Sequence, residues 1–308
     1  METLEDTFDR DRALVFGIGG GGDVVGSIPT ARLLETHHVD TVLGGVAWER
    51  TTTDPRPGPR HLDEIEGIDR LNGSVALVTG ETRTSDNVEF VETGVARHYG
   101  EEVVLIDIGD GVRGVVDGIE DACDRLEVDL VVGVDAGGDI LAEGHESGLR
   151  SPLVDAMMLA VLTDVDVDAC IGMYGYGSDG ELTFEEVTDG IVRAAGRGGL
   201  LGAWGLTPRI VSELEELLEV VTTEASRLPV EVARGERSEA TIREGERTVE
   251  LPPASTVTFY LDPSTVAETS DLVSLVRGTT SFLEAHESLM DAGYETELAL
   301  ERKRMTED

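Results

Sequence analysis

Ala13-Leu14-Val15-Phe16-Gly17-Ile18-Gly19-Gly20-Gly21-Gly22-Asp23 is the stretch that decides the fold. Four apolar residues bounded by glycines read as a buried parallel strand. Val24 to His37 then carries apolar residues at helical spacing, so the glycines join a strand to a helix. Gly17, Gly19 and Gly22 satisfy G-x-G-x-x-G in the strand–turn–helix context which that fingerprint requires. Such a turn suits anion binding, because glycine backbone approaches a ligand closely and a helix N-terminus presents unpaired N–H donors and positive dipole. Asp23, directly after the turn, opposes that dipole or binds a cation.

Outward from this unit the pattern repeats. Strand-like runs are expected at Thr41 to Val46, Ser74 to Thr79, Val103 to Asp107, Leu130 to Val134 and Ala169 to Met173. Helices are expected between them at Leu62 to Arg70, Asn87 to Tyr99, Val112 to Leu126 and Leu153 to Thr163. The alternation predicts an α/β protein, a Rossmann-like three-layer fold with a mostly parallel sheet and right-handed crossovers. An order 3-2-1-4-5-6 would place the first and fourth strands side by side. Further on, Thr183 to Gly196 and Pro208 to Val221 read as helices, the latter with proline near N1. Glu239 to Arg243 and Arg247 to Leu251, flanking Glu244-Gly245-Glu246, read as a hairpin, and Thr256 to Leu261 as a strand. Acidic helices and a loose Arg302-Lys303-Arg304 tail follow. The expectation is one α/β domain over 12–304, with a Rossmann-like core at 12–200 and a C-terminal α+β extension at 228–304 packed on it.

Charge bounds the function classes. The 308 residues carry 63 acidic and 24 basic side chains, a formal net charge of -39, and Lys303 is the only lysine. Self-repulsion of that size destabilises a compact chain in dilute buffer and is screened in molar salt, where the Debye length is about 3 Å. A halophile, salt-in cytoplasm is the economical reading. No basic stripe could neutralise phosphates, so nucleic acid is not an expected partner. No apolar run approaches the roughly 18 residues of a membrane span, and the acidic N-terminus does not read as a signal peptide. Cys123 and Cys170 lack metal-type spacing and are expected to pack. Without a Walker lysine, a G-x-S-x-G elbow or H-E-x-x-H, the P-loop, serine-hydrolase and zinc-protease readings drop out.

A second Gly-Gly-Asp turn, Gly133-Val134-Asp135-Ala136-Gly137-Gly138-Asp139, ends the fifth expected strand, and Asp107-Ile108-Gly109-Asp110-Gly111 ends the fourth. These loops should converge on one crevice. Gly19, Gly20, Gly21, Gly22, Gly137 and Gly138 are the candidate ligand-binding residues. Asp135, Asp139 and His145 are the candidate catalytic groups, and Asp23, Asp110 and Asp139 the candidate ligands of Mg or another divalent ion. The expected partner is a small anionic metabolite, phosphorylated or nucleotide-like, handled by a hydrolase or transferase. The alternatives are an NAD(P)- or FAD-dependent oxidoreductase, with Glu49 holding the ribose, and a non-catalytic nucleotide sensor. Thr51 to His61, rich in proline, reads as a surface loop whose Arg50, Arg56, Arg60 and His61 could close over an anion. Tyr176, in the Gly-rich turn after the sixth strand, either stacks on a ring or packs.

Together, Gly19 to Asp23, Gly58-Pro59, Gly133 to Asp139 and Asp179-Gly180-Glu181-Leu182 resemble the haloarchaeal members of an archaeal domain-of-unknown-function family. The resemblance implies an archaeal, cytoplasmic protein of one α/β domain, and carries over no activity and no catalytic residue.

Overall fold

Alternate residues of the first strand feed two different cores: Leu14 and Phe16 pack on one side of the sheet, Ala13 and Val15 on the other. A strand buried on both faces is the period-two signature of a sheet with helices above and below. The computed structural model describes residues 3–307 other than Arg237 and Glu246. Its strands are β1 (Arg12–Gly17), β2 (Asp40–Val46), β3 (Ile65–Arg70), β4 (Val75–Thr84), β5 (Val103–Ile106), β6 (Leu130–Ala136), β7 (Asp168–Tyr174), β8 (Leu200–Gly205), β9 (Glu239–Ile242), β10 (Arg247–Glu250) and β11 (Val257–Leu261). Nine of them form one sheet in the order β3-β4-β5-β2-β1-β6-β7-β11-β8, and β9 and β10 pair separately.

The run β5-β2-β1-β6-β7 is parallel throughout. Helices Asp23–Thr36, Val91–Tyr99 and Pro208–Leu218 cover one face, and Gly111–Leu126, Pro152–Asp164, Phe184–Gly196 and Phe282–Asp291 the other. The molecule is therefore a mixed α/β fold of three layers, Rossmann-like in its parallel centre. Among the described residues, no helix is long and apolar enough to cross a membrane. Cys123 lies in a helix and Cys170 in β7, both buried and free.

Several local expectations are corrected. Val103–Ile106 lies between the strands at 75 and 40, so β1 has β6 as its neighbour and not β5. Residues 62 to 70 form a one-turn 3-10 helix, Leu62–Glu64, and then β3. Gly67, at φ +75, sits at a register shift against β4, a conformation that a helix does not accommodate. Strand β8 was not anticipated, because Gly202, Gly205 and partial exposure dilute its apolar signal. Strand β11 pairs antiparallel with both β7 and β8, which puts a C-terminal segment inside the main sheet. The hairpin forms as expected, although Glu246 of its turn lies outside the described residues. Arg302, Lys303 and Arg304 belong to helix Glu297–Glu307 and are not a loose tail.

The loop after β2 is tied down by a buried ion pair. Arg60 (3% exposed) meets Asp54 (1%) through Nε at 2.6 Å and Nη2 at 2.8 Å, and reaches Asp86 at 2.8 Å. Removing one partner of such a pair leaves a buried unpaired charge. Arg60→Met is therefore expected to lower stability by about 3–5 kcal/mol, read as a shift in the denaturant midpoint; an unchanged midpoint would show that the pair is not what holds this loop.

Candidate functional site

Strand periodicity turns Asp135, at the end of β6, toward the face covered by helix Pro152–Asp164, whose first turn carries Asp155. The turn Gly137-Gly138 follows, both glycines at positive φ, and leads into a single 3-10 turn that begins with Asp139. The loop after β7 brings Asp179 and Glu181 to the same place. A Cβ on Gly137 would collide with the Asp179 carboxyl, so the absent side chain is what admits Asp179. Asp23 opens helix Asp23–Thr36 beside them. A Cβ on Gly19 would lie 2.7 Å from Asp23 Oδ2 and 3.8 Å from Asp155 Oδ1, so Gly19 keeps open the space between those two carboxyls.

Six carboxyl groups thus gather at one rim of the sheet, all of them buried: Asp23, Asp135, Asp139, Asp155, Asp179 and Glu181. Asp135, Asp139 and Asp155 each place an oxygen within 4.8 Å of the others, as do Asp139, Asp179 and Glu181. Asp135 Oδ2, Asp155 Oδ1 and Asp179 Oδ2 have no hydrogen-bond partner among the described residues. Burial is the largest influence on the ionisation of the five aspartates. It pushes Asp23 to about 7, against the pull of Arg50 and the amides of Gly19 and Ala136. Burial, then the Glu181 charge, brings Asp139 to about 7. Asp135, Asp155 and Asp179 are raised well above the usual carboxylate range by burial first and by their acidic neighbours second. Like charges this close cannot all ionise without a counter-ion. An all-oxygen donor set with free lone pairs fits a hard cation such as Mg or Mn, and not a nitrogen- or sulfur-seeking metal.

Above the carboxyls opens a cavity of about 820 Å³. Asp23, Glu49, Asp179, Glu224 and Glu301 line it together with Arg50, Arg243 and Arg304, and Thr51, Thr52, Thr53, Thr222 and Thr223 add hydroxyls. Arg243 is pulled below its ordinary value by burial and then by the Arg50 charge, and it approaches Glu181 at 3.6 Å.

The structure brings Gly20 and Gly138 to the same rim, because β1 and β6 are parallel neighbours and Ile18 N donates to Val134 O. It does not leave all the glycine amides free for a ligand, which corrects the expected cradle. Gly19 N donates to Asp23 Oδ2 at 3.0 Å, Gly21 N to Trp48 O at 2.9 Å, and Gly137 N to Tyr174 O at 2.8 Å. Glycine is needed at 20, 21 and 22 for close packing against the Trp48 carbonyl, the Arg50 stem and Thr223. Asp23 joins the cluster but neither triad. Asp110 stands exposed at the N-cap position of helix Gly111–Leu126, and His145 is exposed beside Glu143 and Glu146, so neither belongs to the carboxyl cluster. In both cases a turn acid or loop histidine was close in sequence but pointed elsewhere. Glu49 does line the cavity, with Oε1 accepting from Val91 N at 2.6 Å, and burial raises it to about 7. Of the loop cations only Arg50 faces the cavity; Arg56 pairs with Glu64, and His61 with Asp107. Tyr176 packs, its hydroxyl 2.8 Å from Thr188 and its ring against Phe184 and Phe259.

Comparison with known families adds one finding: the family model for a protein of unknown function, DUF1152, matches residues 14–305. The chain belongs to the DUF1152 family. Both triads and the cavity lining up to Met305 lie within the matched DUF1152 stretch. No curated protein matches the chain.

Asp155, Asp179, Glu181 and Arg243 were not among the expected site residues. Asp155 had a signal: it is the only charged residue between Pro152 and Thr163 in an otherwise apolar helix, where an acid is buried at a cost unless it has a task. Arg243 had none, since only folding brings the hairpin to this rim.

Proposed function

We propose that this protein is a divalent-metal-assisted hydrolase or transferase acting on a small phosphorylated or nucleotide-like metabolite. The observation that carries this reading is the stacking of a cationic wall, Arg50 and Arg243, over a floor of buried carboxyls with unpartnered oxygens. The cavity carries five acids, Asp23, Glu49, Asp179, Glu224 and Glu301, and three arginines; with the acids able to take up protons or a cation, Arg50 and Arg243 are the donors that suit an anionic group. Asp135, Asp139, Asp155, Asp179 and Glu181 would hold the metal. When bound, it would supply Lewis-acid polarisation of a phosphoryl oxygen and a lowered pKa for an attacking water.

The chain's own groups do the rest. Arg50 and Arg243 orient the phosphoryl group by charge-assisted hydrogen bonds. Glu49, at the wall and raised to about 7, can hold a proton on its carboxyl and pass it to a leaving oxygen at neutral pH. The bonds already made by the Gly19 and Gly21 amides, with the Asp23 carboxyl beside them, favour this reading over a dinucleotide oxidoreductase. We further infer a salt-rich archaeal cytoplasm as the setting, supported by the net charge of -39 and the single lysine.

The test is a thermal-shift and native mass spectrometry screen of phosphorylated metabolites, with Mn(II) in molar KCl. Arg50→Gln should weaken the best ligand by roughly 10- to 100-fold, the loss of one or two hydrogen bonds from a charged group, while metal binding persists. Unchanged affinity, or selection of uncharged ligands, would sink the proposal. Binding without turnover on long incubation would make the protein a sensor and remove the catalytic part.

A further inference from the structure

The two carboxyl triads are not separate. Asp139 belongs to both, one triad continuing through Asp135 and Asp155 and the other through Asp179 and Glu181. Each triad has at least one side chain that is more than nine-tenths buried and aims an unpartnered oxygen into the cluster: Asp135 Oδ2 and Asp155 Oδ1 in the first, Asp179 Oδ2 in the second. A mononuclear site would leave one of these sets unsatisfied in the interior, at the full penalty for a buried polar atom.

The surroundings hold both triads in place as second shells do. Ser151 Oγ donates to Glu181 Oε1 at 2.6 Å and lies 3.4 Å from Asp139 Oδ2, so one hydroxyl orients an acid of the second triad and the shared one. The amides of Arg150 and Ser151 donate to Glu181 Oε2 at 2.6 and 2.8 Å. Glu181 N donates to Asp179 Oδ1 at 3.2 Å, which turns the other Asp179 oxygen inward. On the opposite side, Glu297 accepts from Leu153 N at 3.0 Å and Val154 N at 2.8 Å, and so anchors the helix start that presents Asp155.

We infer that the site binds two hard divalent cations, bridged by the Asp139 carboxylate, and that its substrate is a phosphate ester or anhydride whose phosphoryl oxygens span the pair beneath Arg50 and Arg243. This rests on the metal-assisted reading above and deepens it. Paired cations about 3.5–4 Å apart clamp both the attacking and the leaving oxygen of an in-line displacement, a task for which one triad would suffice only in part. In hydrolysis of such a substrate, water forms the new P–O bond, the ester or anhydride P–O bond breaks, and the departing oxygen takes up the proton that the water releases.

The experiment uses the full chain, stripped with chelator and titrated with Mn(II) in molar KCl, counting bound metal and recording its electron paramagnetic resonance spectrum. The wild type should bind two Mn(II) per chain with an exchange-coupled spectrum. Asp155→Asn and Asp179→Asn should each retain one, uncoupled. Asp139→Asn should lose the coupled spectrum and tight binding at both positions, whereas Asp110→Asn should keep two. Circular dichroism of the metal-free variants checks folding, and the wild-type count and coupling decide the matter even if a variant fails to fold. Saturation at one Mn(II), or two uncoupled ions indifferent to Asp139→Asn, overturns this inference and leaves the metal-assisted reading standing. No bound Mn(II) overturns both.

Discussion

Glu92→Gln should make the metal-free protein more stable than the wild type above about pH 7, and the gain should vanish as the pH falls toward 4.5. Glu92 is 1% exposed in the first turn of helix Val91–Tyr99, lies over Gly45 of β2, and has no hydrogen-bond partner on either oxygen among the described residues. Burial raises it well above its ordinary value, and the charges of Glu49 and, more weakly, Asp23 add to the effect. Both Glu92 and its neighbour Glu49 are raised, Glu49 from 4.5 to about 7. Between those limits the folded state holds protons that the unfolded chain has released, so unfolding free energy falls as pH rises. The stability is fully present below about 4.5 and is lost as pH climbs through the folded-state value. The gain is that of the Glu92 displacement itself, because the glutamine is neutral at every pH and has no buried proton to lose as pH rises. Urea midpoints of both proteins at about pH 5 and pH 8, at constant KCl, check this. A variant less stable than wild type at the higher pH, or a difference that does not change with pH, would contradict it.

Gly20→Ala should destabilise the fold by roughly 2–4 kcal/mol, the sum of a left-handed conformation for a residue with a Cβ and an overpacked contact. Gly20 has φ +71, and a Cβ there would stand 2.5 Å from the Trp48 carbonyl oxygen. That oxygen cannot retreat freely, because it accepts the Gly21 amide at 2.9 Å. Trp48 is itself fastened, with its indole N–H 3.2 Å from Glu301 and its ring edge-on to Phe282. The matched control is Gly100→Ala, at φ +69 with nothing within 4 Å of its Cβ, which should lose only about 1 kcal/mol. Equal losses at the two positions in denaturant titrations would show that backbone conformation, and not the contact with Trp48, is the cause.

The parallel centre of the sheet was legible because its strands are buried on both faces: Ala13–Phe16 and Leu130–Val134 are unbroken apolar runs, and the glycines after them mark the strand ends. Asp135 and Asp139 could be picked out for the same reason, as acids at the mouth of such a run. Asp23 lies beside the cluster with its carboxyl engaged by the Gly19 amide, a detail of side-chain direction that spacing does not carry. Asp110 and His145 show the opposite failure, since nearness along the chain to a Gly-rich turn did not bring them to the cavity.

Local order along the chain, then, set the layer architecture, the two Gly-Gly-Asp turns and the acidity of the chain, because periodicity and charge are properties of neighbouring residues. Which strands lie side by side, and hence that Asp139 is shared between two triads while Arg243 hangs over them, came from long-range pairing. The insertion of β3 and β4 beyond β5, and of β11 between β7 and β8, depends on how far-separated segments bury one another. A buried carboxyl acquires its chemistry from what surrounds it in space: desolvation and the charges around it decide whether it holds a proton or a cation.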